Sequence, residues 1–90
     1  MTSQTRSHRI RRLVYRSTYT GMRETDHLLG PFARECLDSM NDIELDAYEE
    51  LLEYGDPSIW AWLNSSAALP EGFNNPAFDK LRIWCERRKP

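Results

Sequence analysis

Apolar residues along this chain recur every three or four positions almost without interruption, and no segment alternates apolar and polar side chains convincingly. A period near 3.6 lines up one face of a helix, whereas a half-buried strand needs a period of two. The expected fold class is therefore all-α: a compact single-domain bundle of five short helices over residues 8–88, preceded by a flexible N-terminal tail over residues 1–7. With 90 residues, such a chain buries only ~60–65% of its unfolded surface, which leaves room for one core and no deep catalytic cleft.

The breakers set the helix limits. A first helix from His8 to Tyr19 turns Ile10, Leu13, Val14 and Ser17 inward, and Gly21 ends it. A second carries Met22, Thr25, Leu29, Phe32, Ala33, Cys36, Leu37 and Met40 on one stripe, with a kink or two abutting segments at Gly30-Pro31. Asn41 and Glu44 have the spacing of a capping box at the head of a third helix, whose buried side holds Ile43, Ala47, Tyr48, Leu51 and Leu52. Gly55 stops it, and Asp56-Pro57 opens a fourth as cap and first-turn proline, with Ile59, Trp60 and Leu63 toward the core and Trp62 on another face. Residues 65–74 read as a loop. Asn75-Pro76 starts the last helix, whose stripe is Ala77, Phe78, Leu81, Trp84 and Cys85.

Charge is distributed unevenly. Residues 1–23 hold six arginines (Arg6, Arg9, Arg11, Arg12, Arg16 and Arg23) and no acid, while residues 24–56 hold eleven acids against Arg34 alone. Such asymmetry points to a charged partner surface. The basic start also has the composition of a mitochondrial transit peptide, but its apolar face runs on into the rest of the chain, so it is expected to belong to the fold. A basic helix can bind nucleic acid; a pI of about 5.6 argues against that, because dedicated modules keep a basic surface. No apolar run approaches the ~18 residues of a membrane span, so a soluble chain without membrane insertion is expected.

Chemistry-bearing patterns are scarce. Phosphate loops, nucleophile elbows, H-E-x-x-H zinc sites and EF-hand spacings do not occur. His27 and Cys36 are nine residues apart, about two and a half turns, which puts them on opposite sides of a straight helix. Two cysteines without a neighbouring Cys or His give no zinc spacing, and a reducing compartment suits them better than a disulfide framework. No catalytic residue, metal ligand or tightly bound cofactor is expected.

The stretch RRLVYRSTYTGMRETD over residues 11–26 resembles the opening of the succinate dehydrogenase assembly factors, the SdhE-type proteins of bacteria and their mitochondrial relatives. The likeness continues through LLGPFARECL and MNDIELDAYEELLEYGDPSIWAWL and covers roughly residues 10–86. It implies a five-helix bundle and a non-enzymatic, monomeric assembly factor, cytoplasmic in a bacterium and in the mitochondrial matrix in a eukaryote. That factor binds the flavoprotein subunit of succinate dehydrogenase, with that of fumarate reductase as a further client, and promotes covalent attachment of FAD to it. The family motif R-G-x-x-E reads Thr20-Gly21-Met22-Arg23-Glu24 here: Gly21 and Glu24 match, and Thr20 stands where the family has arginine. The implied partner-binding residues are Thr20, Gly21, Met22, Arg23, Glu24 and Asp26, with Arg12 and Arg16 beside them. Two readings from other classes compete: a regulatory, antitoxin-like protein partner, and a small basic-helix nucleic-acid binder.

Overall fold

A computed structural model describes residues 2–18 and 23–88, with side chains from residues 6–18 and 27–88. The described residues form five α-helices and one 3-10 turn, with no strand: α1 (Thr2–Thr18), α2 (Arg23–Cys36), the turn Leu37–Ser39, α3 (Asp42–Glu53), α4 (Asp56–Leu63) and α5 (Pro76–Arg88). The helical class and the helix count expected from periodicity hold. The chain groups into two compact units, Met1–Met40 and Asn41–Pro90.

In the first unit, α1 packs on α2 and on the 3-10 turn. The helix begins at Thr2, six residues before His8, so residues 2–7 are helical rather than a tail. A device near that end was not visible in the sequence: the Arg6 guanidinium donates to the main-chain carbonyls of Asp38 and Met40. Those carbonyls close the chain after α2, where a helix end leaves acceptors unsatisfied. Leu13 and Ser17 of α1 and Leu29, Phe32, Ala33, Leu37 and Met40 are buried, as the stripe predicted. The buried Ser17 hydroxyl donates to the Leu13 carbonyl at 2.8 Å, which satisfies it within its own helix.

Two expectations for this unit are corrected. Of the kink or two abutting segments expected at Gly30-Pro31, the two segments do not occur: α2 runs through as one helix. Pro31 donates no hydrogen bond to the His27 carbonyl, but one lost bond is outweighed by the buried stripe on both sides of it. Cys36, placed on that stripe, is only half-buried.

In the second unit, α3 packs on both α5 and α4. The capping box forms: the Glu44 N–H donates to Asn41 Oδ1 at 2.8 Å, and the Asn41 N–H donates to Glu44 Oε1 at 3.1 Å. Gly55 takes φ +94°, a conformation that costs a residue with a Cβ. It lets α3 stop at its C-cap Tyr54 and α4 begin directly, with Gly55 and not Asp56 as the N-cap. Asp56 becomes the first helical residue, where its carboxylate favours the helix dipole. Asn75 does more than cap. Its Oδ1 accepts the Phe78 N–H at 2.9 Å, and its Nδ2 donates to the Ala47 carbonyl at 2.8 Å. At 3% exposed, this one side chain starts α5 and ties it to the middle of α3. A Lys80–Glu44 ion pair at 3.3 Å is a second tie.

Burial departs furthest from expectation at Ile43 and Trp60, while Ala47, Leu63, Trp84 and Cys85, expected on buried sides, are half-buried. Ile43 is 72% exposed, and Leu45 is buried in its place with Tyr48, Leu51 and Leu52. At about 100° per residue, Ile43 lies about 200° round the helix from Leu45 and so faces away from it. Trp60 is half-buried rather than core, while Ile59 of the same helix is fully buried. Trp62 makes the ring contacts instead, 5.2 Å from both Tyr54 and Phe73 and 6.1 Å from Phe78, between ring centres. Phe73 reaches that cluster because Pro70–Phe73 is a tight turn, with the Phe73 N–H on the Pro70 carbonyl at 3.0 Å and Gly72 at φ +76°. Ring pairs with this tilted or edge-on geometry add ~0.5–1.5 kcal/mol beyond their area.

Asn75→Ala loses both the cap and the tie, and is expected to cost about 2–3 kcal/mol in a urea melt. Asn75→Asp keeps the acceptor for Phe78 and loses the donor to Ala47, so it isolates the tie. An Asp variant as stable as the parent would show that the bond to Ala47 contributes nothing.

The Glu44 carboxyl lies below its ordinary value of 4.5, mainly because it accepts the Asn41 N–H; desolvation works against this, and the hydrogen bond and charge of Lys80 add to it. A depressed folded pKa stabilises the fold above the unfolded value, and that contribution is lost as pH falls through the folded value. Glu44→Gln keeps the acceptor and removes the charge. Thermal melts should place it below the parent at neutral pH, with the gap closing as pH drops below about 4.5. A gap that stays constant down to pH ~3 would show that the Glu44 charge contributes nothing.

Candidate functional site

The corner between α1 and α2 carries most of the residues that the sequence singles out. Thr20, Gly21 and Met22 lie outside the described residues. Arg23, Glu24 and Asp26 are the first, second and fourth residues of α2, and their side chains lie outside the described ones. A carboxylate in a first helical turn is favoured by the helix dipole, which suits Glu24 and Asp26. On α1, Arg12 is exposed and Arg16, one turn later, is half-buried.

What positions the corner is the contact between the last turn of α1 and the middle of α2. Gly30 is buried. A Cβ built there would lie 3.5 Å from Thr18 Oγ1 and 3.6 Å from Thr18 Cα, so the α1 backbone approaches α2 at the residue without a side chain. The Thr18 hydroxyl donates to the Val14 carbonyl at 2.9 Å and accepts from Arg34 Nη1 at 3.4 Å. From Gly30 back to Arg23 is seven residues, about 10 Å of helix. The described flanks of the corner are thus two helices fixed against each other close to their junction.

Sequence reasoning missed Gly30 as a packing residue, because Gly-Pro reads as a breaker. It also left unremarked an open depression on α1 formed by His8, Arg11, Arg12 and Tyr15, whose spacing of three, four and seven residues marks one helical face. In the second unit a half-open cleft of about 620 Å³ lies over Trp62 and Phe78, with Arg82, Cys85 and Glu86 along α5. Its lining includes the Cys85 thiol and the Glu86 carboxylate. Among the described residues, no three His, Cys, Asp or Glu side chains converge as metal ligands, and no helix is long and apolar enough to cross a membrane.

A family model described as "flavinator of succinate dehydrogenase" matches residues 11–85. Over 61 residues the chain is 44% identical to the mitochondrial succinate dehydrogenase assembly factor 2 of Meyerozyma guilliermondii, an overlap of 68% of this chain and 45% of that protein. It is 33% identical over 76 residues to the factor of the same name in Dictyostelium discoideum, covering 84% of this chain and 54% of the relative. With the FAD assembly factor SdhE of Acetobacter pasteurianus it shares 37% identity over 73 residues, covering 81% of this chain and 67% of that protein. The chain spans about half the length of the mitochondrial relatives just described. No solved structure matches it.

The Gly30 contact yields a graded test. A Cβ at 3.5–3.6 Å from its neighbours is in ordinary van der Waals contact, so Gly30→Ala should gain about 0.5–1 kcal/mol from helix propensity. Gly30→Leu overpacks the contact and should lose about 1–3 kcal/mol. If Gly30→Ala destabilises instead, α1 and α2 approach more closely than described here.

Proposed function

The chain belongs to the family of succinate dehydrogenase flavinators, and from that premise we propose that it is a non-enzymatic assembly factor for covalent flavinylation. Its partner is the flavoprotein subunit of succinate dehydrogenase, with the fumarate reductase flavoprotein as a second client. The observation that carries this reading is the family match over residues 11–85, a span that includes the corner, where Gly21 and Glu24 occupy motif positions.

FAD is the cargo attached to the partner, and this chain holds no cofactor tightly. The new bond joins the flavin to a histidine of the partner. The factor supplies differential affinity: it binds the partner conformation competent for attachment better than the others, and a shift of population follows. Gly21 lacks a side chain, so a partner backbone can come close to the turn. Glu24 offers a carboxylate to a basic or polar partner group, and Asp26 lies half a turn further on. Arg12, Arg16 and Arg23 give the rim positive charge, and Met22 contributes an adaptable apolar contact. Working as a monomer suffices for this role, in the bacterial cytoplasm or the mitochondrial matrix.

Thr20 is the departure to test. A charge-assisted hydrogen bond is worth ~1.5–3 kcal/mol, roughly ten- to hundredfold in affinity. Thr20→Arg should tighten binding by that order, whereas Gly21→Arg should abolish it by blocking close approach. The measurement is in-gel flavin fluorescence of the flavoprotein in a deletion strain complemented with the parent or either variant, with Kd for the purified subunit alongside. Full flavinylation by Gly21→Arg would remove the corner from the interface, and a parent that restores no flavin would sink the assembly-factor reading.

A further inference from the structure

Five arginines lie on α1, and the fold treats them differently. Arg6 is spent on the carbonyls of Asp38 and Met40. Arg9 and Arg16 are half-buried and engaged. Arg11 and Arg12 are exposed, and neither is ion-paired to any described residue. With His8 and Tyr15 they line one open depression on a single helical face, and Tyr15 is 66% exposed there. No acidic residue occurs on α1 or anywhere in residues 1–23, so the helix itself offers these cations no counter-charge.

We propose that this face of α1 is a docking surface for an acidic segment of the flavoprotein subunit, one presenting two carboxylates within about one helical turn of each other. The inference rests on the proposed function for the identity of the partner, and it extends the contact from the corner toward His8. The guanidinium fork matches a carboxylate with two parallel hydrogen bonds. An exposed tyrosine adds a rigid ring and a hydroxyl, the kind of group that anchors interfaces. From His8 to Tyr15 is about 10 Å along the axis, which suits a short segment rather than a long charged polymer. A polyphosphate strand is the poorer fit: the chain carries a net charge of −2, with eleven acids in residues 24–56, and nucleic-acid binding draws its affinity from many phosphate contacts.

Exposed interfacial charges act chiefly on encounter, so they show in the association rate and its salt dependence. Arg11→Gln/Arg12→Gln should leave the far-UV spectrum and the thermal melt unchanged. It should weaken binding to the purified flavoprotein subunit about three- to twentyfold at about 50 mM salt, mostly through kon, with the deficit shrinking toward about 0.5 M. Arg11→Lys/Arg12→Lys should restore most of the salt dependence, and Arg11→Glu/Arg12→Glu should fall below the glutamine pair. A parent complex whose Kd and salt slope are untouched by the glutamine pair overturns this inference and removes Arg12 from the rim, while the assembly-factor function still stands on the family match. A parent that binds no flavoprotein overturns both. Equally tight binding to a DNA duplex or to anionic vesicles, lost in the same variants, assigns the face to phosphate and overturns the acidic-segment reading.

Discussion

The approach of α1 to Gly30 is the contact that fixes the two helices flanking the family motif. Two helices joined by a short connection fix its ends only if they are themselves fixed, and helices approach closely where the intervening side chains are small. Here the side chain is absent, and the Thr18 backbone lies against that position. The Arg34–Thr18 hydrogen bond closes over the same point. Pro31, next to it, removes one hydrogen bond from α2 and narrows the backbone freedom of the residue before it. The Gly-Pro pair that reads as a break is thus a packing point. A partner that binds across two helices already fixed against each other loses less entropy on binding than one that must order them.

The second unit solves a different problem, that of holding an eight-residue α4 and a thirteen-residue α5 on α3 with little apolar surface to spare. Helices this short are not stable alone. Polar groups with fixed geometry do part of the holding: the Asn41–Glu44 box starts α3, Lys80 reaches back to Glu44, and Asn75 ties the head of α5 to Ala47. Glu44 takes part in two of these, which is why its carboxyl sits below the ordinary value. The aromatic cluster of Tyr54, Trp62, Phe73 and Phe78 fills the rest, and it recruits a loop residue to do so.

Much of the helical layout was legible in the sequence because its signals are local. The 3.6 period, the S/T/D/N-type caps and the breakers each act within a few residues, and they placed α3 and α5 nearly to the residue. The burial errors come from non-local causes. Ile43 has the four-residue spacing to Ala47 that predicts an inward position, but the faces of α3 are set by what packs on them, and Leu45 takes the buried place. Trp62 is expected on another face than Trp60, and its ring partner Phe73 lies in a segment without periodicity. Arg6 was read as part of a tail, since nothing in the sequence announces acceptors thirty-two and thirty-four residues away. The candidate corner was legible only through resemblance: Gly21 alone reads as a terminator and Glu24 as a solvated first-turn acid.

The arginines of α1 connect these observations. Composition presents them as one basic block, and a block invites one explanation, whether transit signal or nucleic-acid patch. The structure divides them by what surrounds each. An arginine that caps carbonyls or lies half-buried is held by its own chain, and removing it should register first as lost stability. An exposed arginine without a counter-charge on its helix gains little from the fold, since surface charges contribute only a few tenths of a kcal/mol to stability. Arg11 and Arg12 are therefore the positions where positive charge is least explained by folding, and they lie on the helix that leads into the motif-bearing corner. Charge there reaches a partner before any contact forms, over a Debye length of about 8 Å at physiological salt. In the proposed complex, Gly21 and Glu24 act only at contact. Recognition in that complex is thus divided along α1, with orientation first and close fit at the corner second.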